Sequence, residues 1–110
     1  MKSKDQIEPH DKSFKRIIDL FEADKNIEIT KMFGSPGIKV DGKVFAMLVK
    51  GKLVVKLSKD RVNEMVTRGE ANYFDPGHGK LMKQWLSINT EHGRLWPKLA
   101  REAMIYVRDL

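Results

Sequence analysis

The sequence has no cysteine among its 110 residues. This absence excludes disulfides, thiol nucleophiles, iron–sulfur clusters and ordinary zinc fingers. No apolar stretch approaches the roughly 18 residues that a membrane-spanning helix needs, and residues 1–15 lack the apolar core of a signal peptide. We therefore predict a cytoplasmic protein, because a chain without cysteine also fits a reducing compartment.

Positive charge is in excess, with 21 Lys and Arg against 15 Asp and Glu, a formal net charge of +6. Such an excess is typical of proteins with an acidic partner, such as nucleic acid or an acidic protein. The cations are scattered rather than massed in one block, so a lysine-rich surface explains the charge without any partner. The charge thus favours at most weak, non-specific nucleic-acid binding, and we expect no membrane binding.

The length suits one compact domain. Hydrophobic residues make up 41% of the chain, enough for a real core, and charged residues make up 33%. Residues 1–10 are polar, and we predict a flexible N-terminus there. We predict a single domain over residues 11–110.

Three segments have apolar residues at helical spacing. The first helix is predicted from about 11 to 23, with its apolar residues at i, i+3, i+4 and i+7. The second begins after Ser58, a good N-cap, and ends before Gly69. The third covers 93–109, and its regular part begins near 94–97 because Pro97 is tolerated only in a first helical turn.

Five segments are predicted as strands: 27–33, 38–40, 43–49, 52–57 and 81–88. Asp41-Gly42 is a strong hairpin signal between two of them. The run from 43 to 49 is nearly continuous in apolar residues, which predicts a strand buried on both faces. We read 70–80 as a loop. Turns are predicted at Gly34, Gly37, Asp41, Gly42, Gly69, Gly77 and Gly79.

The predicted order is α-β-β-β-β-α-β-α. This order indicates a two-layer α+β domain, with a mainly antiparallel sheet of about five strands and helices packed against at least one face.

Neither glycine-rich stretch fits a phosphate-binding loop. "GSPG" at 34–37 opens a strand rather than a helix, and Pro36 has no amide to donate. "GHGKL" at 77–81 lacks the first glycine of a Walker motif and has Leu81 where Ser or Thr is needed. We predict no cofactor-binding residues and no cofactor.

No catalytic or metal-binding constellation stands out. The three histidines form no i, i+4 pair with another ligand, and no serine lies in a nucleophile elbow. Trp85 and Trp96 could stack on bases, although aromatics at such positions more often belong to the core. The exposed loop at 75–83 is a candidate interaction surface, with Asp75, His78, Lys80 and Lys83 as its charged or titratable residues.

The stretch "KMFGSPGIKVDGKVFAMLVKGKLVVKL" resembles the N-terminal domain of the TfoX/Sxy family. The matching residues include a Met-Phe-Gly turn, an Asp-Gly turn, a Phe-Ala strand and a Leu-x-x-Lys strand. They are Met32, Phe33, Gly34, Asp41, Gly42, Phe45, Ala46, Leu53 and Lys56. The later Met-Lys-x-Trp at Met82, Lys83 and Trp85 is similar to single-domain relatives. The resemblance covers about residues 14–108.

The resemblance implies a small α+β domain similar to secretion-chaperone-like folds. In longer members it also implies help to a transcription activator of competence genes, but their second domain has no counterpart within these residues. The family has no agreed catalytic residues. Gly34-Ser35 departs from the Gly-Gly of many members.

Three functions follow as hypotheses. The first is a non-enzymatic regulatory or protein-interaction module with an unidentified protein partner. The second is a nucleic-acid-associated regulatory domain, which depends on charge alone. The third is a small-ligand binder or enzyme that uses the loop at 75–83. The sequence leaves the partner, the pathway and the choice between monomer and homodimer open.

Overall fold

The computed structural model describes residues 9–32, 35–77 and 79–110. The elements in order are α1 (Pro9–Phe21), β1 (Ile27–Met32), β2 (Ser35–Val40), β3 (Lys43–Val49), β4 (Lys52–Lys56), α2 (Lys59–Thr67), β5 (Asn72–Phe74), β6 (Met82–Ile88), a 3-10 helix (Thr90–Leu95) and α3 (Trp96–Arg108). The predicted α+β class is confirmed. The predicted flexible N-terminus falls mostly on residues outside the described ones.

The six strands of the described residues form one antiparallel sheet in the order β1-β2-β3-β4-β6-β5. The sheet has one strand more than the predicted number of about five, because the segment that we read as a loop contains β5. This strand has three residues and pairs only with β6, at the edge of the sheet. None of the described helices is long and apolar enough to cross a membrane.

The two tight hairpins of the sheet have the backbone of two-residue hairpin turns. Asp41 and Gly42 have φ angles of 50° and 80°, and Lys50 and Gly51 have φ angles of 52° and 78°. Two consecutive positive φ angles define the turn type whose twist matches that of antiparallel strands. Aspartate and glycine adopt this conformation easily, so the prediction at Asp41-Gly42 is confirmed.

The start of β2 differs from the prediction. Pro36 lies within the strand, opposite Lys31 of β1, and pairing with β3 begins only at Gly37. The missing amide of proline therefore removes no bond to β3. Gly37 lies in the strand rather than in a turn, between Thr30 and Met47. The turn predicted at Gly34 lies outside the described residues.

A single hydrophobic core lies between the helices and one face of the sheet. Strand alternation places Ala46, Leu48, Leu53, Val55, Leu86 and Ile88 on this face, and all belong to the core. The register of β3 shifts opposite Ile38 and Lys39, so the adjacent residues Phe45 and Ala46 both enter the core. Phe45 meets Phe21 of α1 edge to face, with ring centroids 5.4 Å apart.

Helix α2 has the predicted ends. The Ser58 side chain accepts a hydrogen bond from the Arg61 amide at 3.2 Å, and Gly69 follows the helix with a φ of +79°. Arg61 also links α2 to α3, because its guanidinium donates to both carboxylate oxygens of Glu102 at 2.7 and 3.1 Å. The hydrogen bond to Glu102 raises the pKa of Arg61 above its ordinary value, against the lowering effect of burial.

The three α-helices described above cover the same face of the sheet. Tyr73 of β5 lies opposite Leu86 on the core face and donates its hydroxyl to Asn63 of α2 at 2.7 Å. Helix α3 packs on β2, β3 and β4, and α1 packs on α3 and β4. In the part of the chain that the structure describes, no helix covers the opposite face, which becomes the candidate functional surface.

Candidate binding surface

The uncovered face of the sheet carries an apolar pocket of about 440 Å³. Strand alternation and the register shift direct Val44, Met47 and Val49 of β3 toward this face. The pocket is lined by Ser35, Val44, Met47, Val49, Phe74, Pro76, Met82 and Trp85. We call it the apolar pocket. The prediction that β3 is buried on both faces was wrong, since the β3 residues that line this pocket are only partly buried.

The burial of Val54 shows that the side chains around the pocket are closely packed. Alternation puts Val54 on the uncovered face, between Met47 of β3 and Ser87 of β6. It is completely buried, although it does not belong to the core under the helices. The side chains of this face therefore pack against one another around the pocket.

The register shift between β5 and β6 completes the pocket. Tyr73 faces Leu86, but the next residue, Phe74, is opposite Met82 rather than Trp85. The partners of Tyr73 and Phe74 on β6 are therefore separated by three residues, although Tyr73 and Phe74 are adjacent on β5. As a result, Phe74, Met82 and Trp85 all line the pocket. With regular pairing, Phe74 would lie directly opposite Trp85.

A second pocket adjoins the first and is rich in lysine. It is lined by Lys56, Lys59, Met82, Lys83, Gln84 and Trp85, and we call it the lysine pocket. Met82 and Trp85 belong to both pockets. The Lys56 ammonium lies 5.5 Å from the centroid of the Trp85 ring, a distance at which the π-system attracts a cation. A positive charge therefore lies at the boundary between the two pockets.

Lysines also extend across the rest of this face. Lys39 of β2 lies opposite Val44, and Lys52 of β4 lies opposite Val49. Both neighbours line the apolar pocket, so these lysines share its face of the sheet. We call the uncovered face with Lys39, Lys52, Lys56 and Lys83 the lysine-rich face.

The net charge of the protein comes from the sheet. The strands and turns at 27–57 and 72–88 carry eight lysines against Glu28, Asp41 and Asp75. All other segments together carry 13 Lys and Arg against 12 Asp and Glu. The six ion pairs found among the described residues all lie on the helices or at their ends. Positive charge is thus concentrated where the helices are not.

The loop that we predicted as an interaction surface borders the apolar pocket but is not one cluster. Asp75 is exposed and accepts a hydrogen bond from the Gly77 amide at 2.8 Å, as in a turn that an aspartate side chain stabilises. It lines a small pocket on one side, while Lys83 lines the lysine pocket on the other. Lys80 is exposed, and His78 lies outside the described residues.

The other polar sites are weaker candidates for a functional site. A cavity of about 150 Å³ is lined in part by Glu70, Asn89, Glu91 and His92, and the side-chain oxygen of Asn89 is buried without a hydrogen-bond partner. Among the described residues, no group of three or more His, Asp or Glu side chains is arranged to hold a metal ion. Trp96, one candidate for base stacking, is fully buried and donates its indole N–H to the Asn89 carbonyl at 3.2 Å.

Sequence reasoning missed most of the residues that form this surface. Val44, Met47 and Val49 were assigned to a buried strand, and Lys39 and Lys52 were not singled out. The signal was present in β3, since an apolar residue at nearly every position supplies two apolar faces. The few predicted helices could cover only one of these two faces, and the sequence did not indicate which one.

The fold and surface define a small α+β domain whose antiparallel sheet is covered by helices on one face and is lysine-rich on the other. The chain matches the family model of the TfoX N-terminal domain over residues 19–104 and belongs to this family. This match covers most of the chain and confirms the family resemblance of the sequence. No curated protein matches the chain.

Proposed function

We propose that this chain is a non-enzymatic, cytoplasmic protein-interaction module that binds an acidic partner protein on its lysine-rich face. The observation that carries the proposal is the coincidence of an uncovered apolar pocket with the excess lysines of the molecule. Apolar surface next to unpaired charge of one sign is typical of a recognition surface. A regulatory role would follow from the identity of the partner.

The charge distribution argues for an acidic protein rather than a second copy of this chain. Two lysine-rich faces would repel each other if they packed together, and like charges across an interface are unfavourable. A partner with carboxylates around an apolar side chain would complement both features of the face. This supports a heterologous partner over a homodimer through this surface.

Nucleic acid remains a second candidate, because Trp85 and the lysines share one sheet face, as in single-strand binders. Two observations make it less favourable. All eight cations of the sheet segments are lysines, so the bidentate contacts by which arginine reads bases are missing there. Lys56 already occupies a position over the Trp85 ring. Such binding would be weak and would fall steeply with salt.

The pocket itself supports binding rather than catalysis. Among its described lining residues, Ser35 carries the only hydroxyl group and none is titratable. Catalysis of proton or group transfer needs a positioned acid, base or activated nucleophile. The volume also lies in the range of small-molecule sites, so a small apolar ligand is the alternative that the loop at 75–83 supports.

Capture from native lysate on the immobilised chain tests the proposal, with and without nuclease. The variant Lys56→Glu with Lys83→Glu reverses charge on the lysine-rich face. The matched control, Lys12→Glu with Lys98→Glu, makes the same charge change at exposed positions of α1 and α3. We expect the wild type and the control to retain a nuclease-resistant protein that the first variant loses. Equal capture by both variants, or capture that nuclease abolishes, would overturn the proposal.

A further inference from the structure

The lysine-rich face is chemically asymmetric around the apolar pocket. On the side of Met82 and Trp85 lies the lysine pocket, whose described lining has three lysines and no carboxylate. On the side of Val49 and Phe74 lies a smaller pocket that contains Asp75 together with Lys50 and Lys52. One side of the apolar pocket is therefore strongly positive, and the other has mixed charge.

From this asymmetry we infer a recognition motif: one bulky apolar side chain of the partner enters the apolar pocket, and carboxylates on one side of it lie over the lysine pocket. The inference rests on the proposed function, because it describes the segment by which the acidic partner is bound.

The shared wall of the two pockets supports this motif. Met82 and Trp85 line both, so an apolar group and an acidic group of one short segment can be bound at the same time. In an extended segment, residues i and i+2 point the same way and are about 7 Å apart. A carboxylate two positions from the apolar residue would thus reach the neighbouring pocket. Lys56, fixed near the Trp85 ring, would be its first contact.

The charges also disfavour an acidic motif that is symmetrical. A carboxylate on the opposite side of the apolar residue would approach Asp75, which is exposed and lines the pocket on that side. Repulsion there would offset part of the attraction of Lys50 and Lys52. Acidic residues of the partner should therefore be enriched on the side of the apolar residue that faces the lysine pocket.

A random-peptide library displayed on phage and panned against the full chain tests the motif. We expect enriched peptides with Asp or Glu two positions from Phe, Leu, Trp or Met, and with the acidic residues on one side. One enriched peptide, synthesised with a fluorescent label, then serves as the probe for anisotropy titrations. A selection without such peptides would overturn the inference.

Met82 provides a matched pair of variants, because it is 39% exposed and Leu20 of α1 is 40% exposed. Met82→Asp places a negative charge at the wall between the two pockets, and Leu20→Asp places one on the helical side. We expect Met82→Asp to weaken probe binding about tenfold or more and Leu20→Asp to leave it within about twofold. Equal effects of the two would overturn the assignment of the site.

The lysines test the asymmetry. Lys56→Glu and Lys83→Glu should each weaken the probe more than Lys52→Glu, whose position is near Asp75 in the mixed pocket. A larger effect of Lys52→Glu would overturn the predicted direction of the motif. Lysine-dependent capture of a native partner without acidic–apolar peptides from the library would refute the motif alone. Peptide binding that depends on Met82 and Lys56, with native capture indifferent to both, would refute the proposed function alone.

Discussion

The two faces of the sheet use similar residues for different purposes. Leu86 of β6, on the helical face, is fully buried, whereas Met82 of the same strand lines the open pocket and is 39% exposed. Both are large and apolar. The difference lies in what covers them, since the helices cover the first and no described element covers the second. Apolar character alone therefore does not distinguish core from binding surface in this domain.

The charged residues also differ between the helical side and the uncovered side of the sheet. On the helical side, Arg61 is bound by Glu102 and Glu64, and the other ion pairs of the described residues also lie on the helices or at their ends. On the uncovered side, the lysines outnumber nearby carboxylates. Paired charge adds to the stability of a fold, whereas unpaired charge of one sign favours encounter with an opposite charge. The comparison predicts that mutations on the two sides separate stability from binding.

Leu86→Ala should give the largest loss of stability. The substitution leaves a cavity between the sheet and the helices, which costs about 3 kcal/mol of unfolding free energy. In a domain of this size the Tm would fall by roughly 10 to 20 °C. Met82→Ala, as the matched change on the open face, should cost less than about 1 kcal/mol. Thermal unfolding followed by circular dichroism measures both, and similar losses would remove the distinction between the faces.

Gly42→Val should give the next largest loss of stability. Gly42 lies in a hairpin turn and belongs to neither face of the sheet. A Cβ atom at Gly42 would meet no atom within 4 Å, so the cost comes from the φ of +80° at this position. A β-branched residue is strained in this conformation, which costs on the order of 1 kcal/mol or more. Urea unfolding gives the value. An unfolding free energy equal to that of the wild type would show that the hairpin adopts another turn.

Arg61→Ala should cost about 1 kcal/mol, because both groups of the Arg61–Glu102 pair are partly exposed and solvent weakens their attraction. The control Arg68→Ala removes a more exposed arginine that lies just after the same helix. We expect this control to change stability by less than about 0.5 kcal/mol. Since Arg61 lies on the helical side, probe binding to Arg61→Ala should be unchanged once the protein is folded. Weaker binding would show that the recognition surface extends along α2 from Lys59, which lines the lysine pocket, to Arg61.

The sequence predicted the local features of this fold better than its surfaces. Asp41-Gly42, Ser58 and Gly69 act through their own backbone neighbourhood, so their structures follow from a few adjacent residues. Strand β5 was missed because its three residues are held by pairing with β6 rather than by a local pattern. The apolar pocket combines residues from β2, β3, β6 and the region around Phe74. Its existence depends on strand order and on two register shifts, which no local signal reveals.

Replacement of Lys39, Lys52, Lys56 and Lys83 by glutamine should have the smallest effect on stability. Strands two places apart in a sheet are roughly 10 Å apart, which is close to the Debye length at about 0.1 M salt. The lysines of β2 and β4 therefore repel one another at low salt, and their removal should leave the Tm equal or slightly higher. Added salt should raise the Tm of the wild type more than that of the variant, because only the wild type has this repulsion to screen. The control replaces Lys12, Arg16, Lys98 and Arg101, four exposed cations of the helical side, and changes the net charge equally. It should keep the salt response of the wild type. If both variants lose that response equally, only the total charge matters, and the concentration of lysines on one face has no energetic consequence.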